Sequence, residues 1–326
     1  MMTGSSSPPL LAVVIPVYKG RYLERTLESF ASQTDQRVRV YVSDDCSSED
    51  LSSIVAPFRE RLDLVYERFE ANLGCKSLVG HFDRSIRMTA EPWVWLFSDD
   101  DIVAPDCVEA FLTRLALIEP TNALFRFQMS MIDENGTEMS VRTAYPVRET
   151  WTEYTQALMR QETWVVIQNI IFSRSVYLEN GGFYDFPHGL WSDLLSWAKF
   201  AYQDGFETLP KGRVFYRRHA ASVSAGFYFG SGDKRPLLES MRIMIIELRR
   251  LCSERFASDL IPRTVQLSFY CRQFRFLSRS LDSGELAFAR KTMRELWPES
   301  LITCEVIFGW HRIIPRLRKI KTWLSL

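Results

Sequence analysis

The chain has 326 residues, 46% of them hydrophobic and 25% charged, with 40 basic side chains balanced by 40 acidic ones. This length and composition suit one large globular domain, or a core domain with a smaller one appended, and exclude a largely disordered protein. A net charge of zero argues against a nucleic-acid binder, whose phosphate contacts draw on a basic excess.

Residues 1–9, "MMTGSSSPP", read as a flexible tail. Beyond them, short apolar runs alternate with helix-period segments up to about residue 120. "LLAVVIPVY" (10–18) is a buried strand, and residues 21–33 place Leu23, Leu27, Phe30 and Ala31 on one helical face. "RVRVYVSDD" (37–45) is a second strand. Ser47 and Asp50 follow at capping-box spacing and open a helix striped by Leu51, Ile54, Val55 and Phe58. "LDLVYERF" (62–69) is a third strand, and Val79, Phe82 and Ile86 mark a helix. "WVWLFSD" is a fourth strand, and Val108, Phe111, Leu112 and Leu115 mark the helix after Pro105. This order predicts an α/β fold with a mostly parallel sheet covered on both faces. No GxGxxG or GxxxxGK[ST] follows any strand, so a Rossmann redox domain or P-loop NTPase would lack its phosphate loop.

From 123 to about 225 the pattern is mixed, with a hairpin-type turn at Asn135-Gly136 and a strand feeding a short helix that stops at Gly181-Gly182. Helical periodicity dominates after about 235. The expected organisation is therefore 1–9 tail, 10–122 and 123–230 as two halves of one domain, and 231–326 as a helical C-terminal extension.

In an open α/β sheet, ligands bind beyond the carboxyl ends of the strands. Two strands deliver aspartates there: Asp44 and Asp45, and Asp99, Asp100 and Asp101. The first pair alone equally suits an Asx turn before Ser47. Three adjacent carboxylates exceed what the helix start after Pro105 needs. They suit Mg2+ or Mn2+, whose charge cancels their repulsion and which is usually shared with phosphate oxygens.

Taken together, "AVVIPVYKGRYLERTLESFASQT", "VYVSDDCSSED", "NLG" and "WLFSDDDIVAPD", in this order and spacing, resemble the family 2 glycosyltransferases of the GT-A fold, of the bacterial surface-polysaccharide type. The resemblance covers about residues 10–120 and continues more weakly to about 225. It implies a nucleotide-diphospho-sugar transferase fold. It further implies that Asp44, with Asp45 beside it, contacts the nucleotide base and ribose, and that Pro16 and Tyr18 line the first donor loop. Ser98 stands where the family has its first acid, so ribose contact passes to Asp99 and metal ligation to Asp100, with Asp101 following. Cys46 stands where the family has glycine. Asn72 and Gly74 match a donor loop from which Lys76 could reach phosphate; a solvated Lys76 suits the sequence equally. In "FYRRHAASVSAG" (215–226), Arg217 and Arg218 are expected to neutralise phosphate and His219 to ligate the metal, although a lone His among arginines also suits a plain surface.

A hydroxyl acceptor needs a carboxylate to take its proton as it attacks. The family carries that base in an acidic pair opening a helix after a "GGF" turn. Here "GGFYDFPHGLWSDLLSWAKFA" (181–201) keeps the turn and offers Ser192-Asp193, which makes Asp193 the expected base and Asp185 its competitor. Trp191, Leu194, Leu195 and Ala198 are expected on the buried face of that helix, with Asp193 off it.

The closing residues 301–326 hold five Lys/Arg against one Glu. Ile313, Leu317, Ile320 and Leu324 recur at helical spacing, so 312–324 reads as a basic amphipathic helix on a membrane surface, or one packed on protein. Six scattered cysteines form no CxxC pair, no signal peptide is evident, and no run of about 18 apolar residues predicts a span. A cytoplasmic protein, peripheral on the membrane, is expected. The activity expected is inverting, metal-dependent transfer from a nucleoside-diphosphate sugar, UDP-linked in preference, to a saccharide or lipid-linked acceptor. A nucleotidyltransferase is one alternative; it would carry a glycine-rich loop where "PVYKGRYLE" has one Gly. A non-catalytic sugar-binding scaffold is the other.

Overall fold

Leu11–Val17, an apolar run dominated by β-branched residues, forms β1 and is buried almost throughout. It pairs in parallel with β2 (Val38–Asp44) on one side and β4 (Trp93–Leu96) on the other. This computed structural model describes residues 9–117, 124–141, 144–222, 226, 232–256, 260–277 and 280–300. The chain divides into two compact units. One comprises residues up to Leu158 with Glu162–His219, and the other Met159–Gln161 with Ala220 onward.

The first unit is built on a ten-stranded sheet of order β3-β2-β1-β4-β9-β6-β10-β5, where β3 is Asp63–Arg68, β5 Ile102–Val103, β6 Leu124–Ile132, β9 Ile170–Ser173 and β10 Phe206–Arg217. β7 (Glu138–Val141) pairs with β6 and β8 (Arg148–Glu149) with β10. The pairs β3-β2, β2-β1, β1-β4 and β6-β10 are parallel. β9 is antiparallel to both β4 and β6 and sits between them. The helices are α1 (Leu23–Ala31), α2 (Leu51–Val55), α3 (Leu78–Ile86), α4 (Cys107–Leu117), α5 (Trp151–Arg160), α6 (Arg174–Glu179) and α7 (Ser192–Phe200).

Apolar stripes from α1 and α4 cover one face, where Phe30, Trp95, Phe97, Phe111 and Phe127 are fully buried. Trp95 stacks on Phe127 at 5.0 Å, and its indole N–H reaches the Gln168 carbonyl at 2.6 Å, so its polar end is satisfied in the core. A second aromatic cluster, Phe172, Tyr177, Phe183, Trp197 and Phe200, packs β9 against α6 and α7.

Two local expectations are corrected. The N-cap of α2 is Asp50, which accepts from the Ser53 amide at 3.2 Å, while the Ser47 hydroxyl donates to the Tyr18 carbonyl at 2.7 Å. The buried residues of α7 are Ser192, Leu195, Ser196, Trp197, Ala198 and Phe200, with Trp191 and Leu194 only half-buried.

The second unit contains α8 (Arg235–Phe256), α9 (Arg263–Leu277) and α10 (Ser283–Leu296). A reciprocal capping box starts α10: Asp282 accepts from the Glu285 amide at 2.8 Å and Glu285 from the Asp282 amide at 2.7 Å. Among the described residues no helix is long and apolar enough to cross a membrane. The basic stretch 312–324 lies outside the described residues.

Candidate active site

β4 ends the acidic turn at the carboxyl edge of the parallel strands. Asp99 and Asp100 are half-buried there, and Asp101 is fully buried. The carboxylate of Asp101 accepts from the Arg217 amide and from the Gln168 side-chain amide. Both oxygens of Asp101, expected to offer one to a cation, are thus engaged inside the protein. Burial, and then the Asp100 charge, push Asp99 and Asp101 well above the ordinary carboxylate range. The turn's main chain is held from beneath. The Thr26 hydroxyl lies 2.7 Å from the Asp101 carbonyl and 3.0 Å from that of Asp99, and Arg217 Nε donates to the Asp100 carbonyl at 2.6 Å.

Asp100 Oδ2 lies 2.8 Å from His219 Nε2, with the Asp100 side chain 23% exposed and that of His219 8%. The other ring nitrogen of His219, Nδ1, is buried and has no hydrogen-bond partner. A carboxylate oxygen and an imidazole nitrogen are thus brought together from positions 119 residues apart in the chain. Among the described residues no group of three or more His, Cys, Asp or Glu side chains forms a metal site. The pair fits a divalent cation that takes one or two protein ligands and completes its shell with substrate phosphate and water.

Asp44 is fully buried. Its Oδ2 accepts from the Tyr66 hydroxyl and from Arg68, each at 2.7 Å, and its Oδ1 from the Ser47 amide at 2.7 Å. Asp44, expected to contact the nucleotide, orients Tyr66 and Arg68, and Arg68 is the exposed member of the three. Asp45, also buried, accepts from the Leu73 and Gly74 amides at 2.8 Å and from Arg84. It therefore clamps the Asn72–Lys76 loop. His81 lies 3.7 Å from Asp45, and burial pulls it down to about 4, so it is neutral. Between the two loops Cys46 adopts φ +57°, the left-handed conformation that glycine prefers. The turn keeps its glycine-like shape with a side chain in place.

Tyr18 and Lys76 are exposed and Pro16 half-buried along this edge. Asn72 Oδ1 caps its own loop by accepting from the Cys75 amide at 2.8 Å. Arg217 is 1% exposed and donates to the carbonyls of Asp100, Asp133 and Glu134, with its Nη2 left without a partner. Of the two arginines expected to neutralise phosphate, Arg218 is the exposed one.

Asp193 opens α7 half-buried, with its own Leu194 amide donating to Oδ1 at 2.9 Å. Burial pushes its carboxyl up to about 6. The segment before it is held in sparsely populated backbone: His188 at φ +56° and Trp191 at φ +63°. Ser77, which caps α3, also donates to Asp185 at 2.8 Å. That bond ties the segment leading to Asp193 to the end of the loop clamped by Asp45. No hydrogen bond among the described residues joins Asp193 to Asp100 or His219.

Thr26 and Gln168 are site residues the motifs do not reveal. Thr26 did leave a signal: it is a polar residue on the buried stripe Leu23, Thr26, Leu27, Phe30, where a hydroxyl needs a partner. Gln168 left none, because its partners are 67 to 73 residues away.

The profile of glycosyl transferase family 2 matches residues 12–180. An uncharacterized glycosyltransferase of Rickettsia typhi is 25% identical over 136 residues, 41% of each chain. The validoxylamine A glucosyltransferase of Streptomyces hygroscopicus subsp. jinggangensis is 30% identical over 119 residues, 36% of this chain and 28% of the relative. The match thus spans less than half the length of these curated relatives. The crystal structure of S. aureus TarS 1-349 in complex with UDP-GlcNAc superposes with a TM-score of 0.67 at 16% identity, over 93% of this chain and 87% of that one. At that identity the likeness is one of fold.

Proposed function

Because this chain belongs to glycosyl transferase family 2, we propose that it transfers a sugar, with inversion, from a nucleoside-diphosphate donor to a hydroxyl of a saccharide or lipid-linked saccharide. Its GT-A fold and enzyme class follow from the family; donor, acceptor, stereochemistry and metal are the substance of the proposal. The observation that carries it is the Asp100–His219 pair, 2.8 Å apart at the strand edge where α/β sheets bind ligands. A UDP-linked donor is supported by the TarS structures in complex with UDP and UDP-GlcNAc.

Asp99 takes the ribose, while Tyr66 and Arg68, held by Asp44, face the base. Lys76 and Arg218 are the exposed cations that offset diphosphate charge. A Mn2+ or Mg2+ held by Asp100 and His219 would supply further charge neutralisation at the leaving diphosphate. Asp193 takes the acceptor proton as the acceptor oxygen bonds to the anomeric carbon and the bond to the diphosphate oxygen breaks. One displacement inverts the configuration. We further propose a role in surface-polysaccharide synthesis on the cytoplasmic face of the membrane, which follows the family resemblance, with 312–324 as the membrane contact, which the basic, apolar-patterned sequence of that stretch supports.

The test is UDP-GlcNAc hydrolysis and transfer by the purified protein, with and without Mn2+, alongside thermal stabilisation by a panel of nucleotide sugars. Turnover that needs the cation is expected. Absence of both turnover and nucleotide binding would leave a non-catalytic sugar-binding protein.

A further inference from the structure

A second cleft lies between the start of α1 and the β6–β7 turn. Arg21, Tyr22, Arg25, Glu134 and Asn135 line about 350 Å3 of space there. A third guanidinium stands behind Tyr22: the Tyr22 ring centroid is 4.8 Å from Arg217 Cζ and 5.0 Å from Arg21 Cζ. The one carboxylate lining the cleft, Glu134, meets Arg21 only at 3.4 Å, with both side chains more than half exposed. Arg25 reaches only the main-chain carbonyls of Glu134 and Asn135, at 3.3 and 3.4 Å. The lining itself thus carries two guanidiniums against one carboxylate, while the charge of Arg217 behind it is met by Asp100 and Asp101.

Two donors here are enclosed without partners: the Tyr22 hydroxyl, on a residue 6% exposed, and Arg217 Nη2, on a residue 1% exposed. Buried donors are normally satisfied, so a pair of orphans in one cationic cluster points to a ligand rich in acceptor oxygens.

We propose that this cleft is an oxyanion subsite for a phosphate group, separate from the donor site and directly behind it. Guanidinium forks match the paired oxygens of phosphate, and the Tyr22 hydroxyl adds a neutral donor. Arg217 links the cleft to the Asp100 carbonyl, and the Tyr22 ring lies 5.1 Å from that of His219. An anion bound here thus lies one side chain away from the Asp100–His219 pair. Only the biological meaning rests on the glycosyltransferase reading: under it, the phosphate is an ester carried by the acceptor, or a free anion that tunes the site.

The test is calorimetric titration of the full chain, saturated with UDP and Mg2+, with inorganic phosphate and separately with sn-glycerol 3-phosphate. Saturable binding is expected, weakened about tenfold or more in R21Q/R25Q, a loss of about 1.4 kcal/mol, with UDP affinity unchanged. Tighter binding of the ester assigns the site to a substrate-borne phosphate; equal or tighter binding of inorganic phosphate assigns it to a free anion. Y22F, which removes one hydroxyl and keeps the ring, must also weaken binding, and it serves as the reporter should the double variant misfold. Absence of phosphate binding, or binding untouched by these substitutions, overturns the proposal. If UDP does not bind, the donor reading fails by itself, and the same phosphate titrations of the UDP-free protein still decide the subsite.

Discussion

His219 and Asp100 face each other at 2.8 Å, one following β10 and the other following β4. Two strands that are not neighbours in the sheet thereby share one polar contact at its ligand-binding edge. Asp100→Ala and His219→Ala should each abolish Mn2+-dependent UDP binding measured by calorimetry. Titration curves that match the parent protein would remove the cation from this pair.

Asp193 is the group whose burial matches the task of a base. A carboxyl raised to about 6 must lose its proton before it can accept one, so kcat should rise with pH through about 6 and then level off. Asp193→Asn should leave UDP affinity intact, cut transfer by about 10²-fold or more and abolish that limb. A variant with full activity would move the base elsewhere.

The same burial bears on stability. A native carboxyl raised above its unfolded value disfavours the charged form, so the stability it allows is complete below about pH 4 and falls until about pH 6. Asp193→Asn should therefore raise Tm above pH 6 and leave it unchanged near pH 3.5. Scanning calorimetry at both pH values checks the sign.

Thr26→Val keeps the shape of the side chain but strips the donor from the carbonyls of Asp99 and Asp101. The expected loss is about 1–3 kcal/mol in urea unfolding, the cost of buried acceptors left without a partner. UDP affinity should weaken with it, because the same hydroxyl fixes the acidic turn. A stability loss with unchanged affinity would show that the turn holds itself.

Cys46→Gly should stabilise the protein. A non-glycine residue in left-handed backbone costs about 1 kcal/mol, partly offset by the greater unfolded-state freedom of glycine. The thiol it removes makes only a 3.5 Å contact with the Glu70 carbonyl. A lower Tm would mean that this sulfur contact outweighs the backbone strain.

The parallel half of the sheet was legible because β1 and β4 are continuous apolar runs that need burial on both faces and β2 alternates before ending on acid. Their carboxyl ends placed Asp44, Asp45 and Asp99–Asp101 at one edge. The division of labour among those acids was not legible. Whether a carboxylate faces in or out depends on partners such as Arg217 and Gln168, 116 and 67 residues from Asp101. Local periodicity carries no trace of such pairings. Arg217 misled for a related reason: beside Arg218 and His219 it reads as one more surface cation, yet β10 turns it into the core.

β9 lies between β4 and β6, although more of the chain separates it from β4 than separates β6 from β4. During synthesis on the ribosome, β4 and β6 therefore leave the exit tunnel before the strand that closes the gap between them. Until residues 170–173 emerge, two apolar edges stand ready to pair with any other nascent chain. Fragments that stop short of that strand should be insoluble, and expression of this protein should be unusually sensitive to premature termination in that interval.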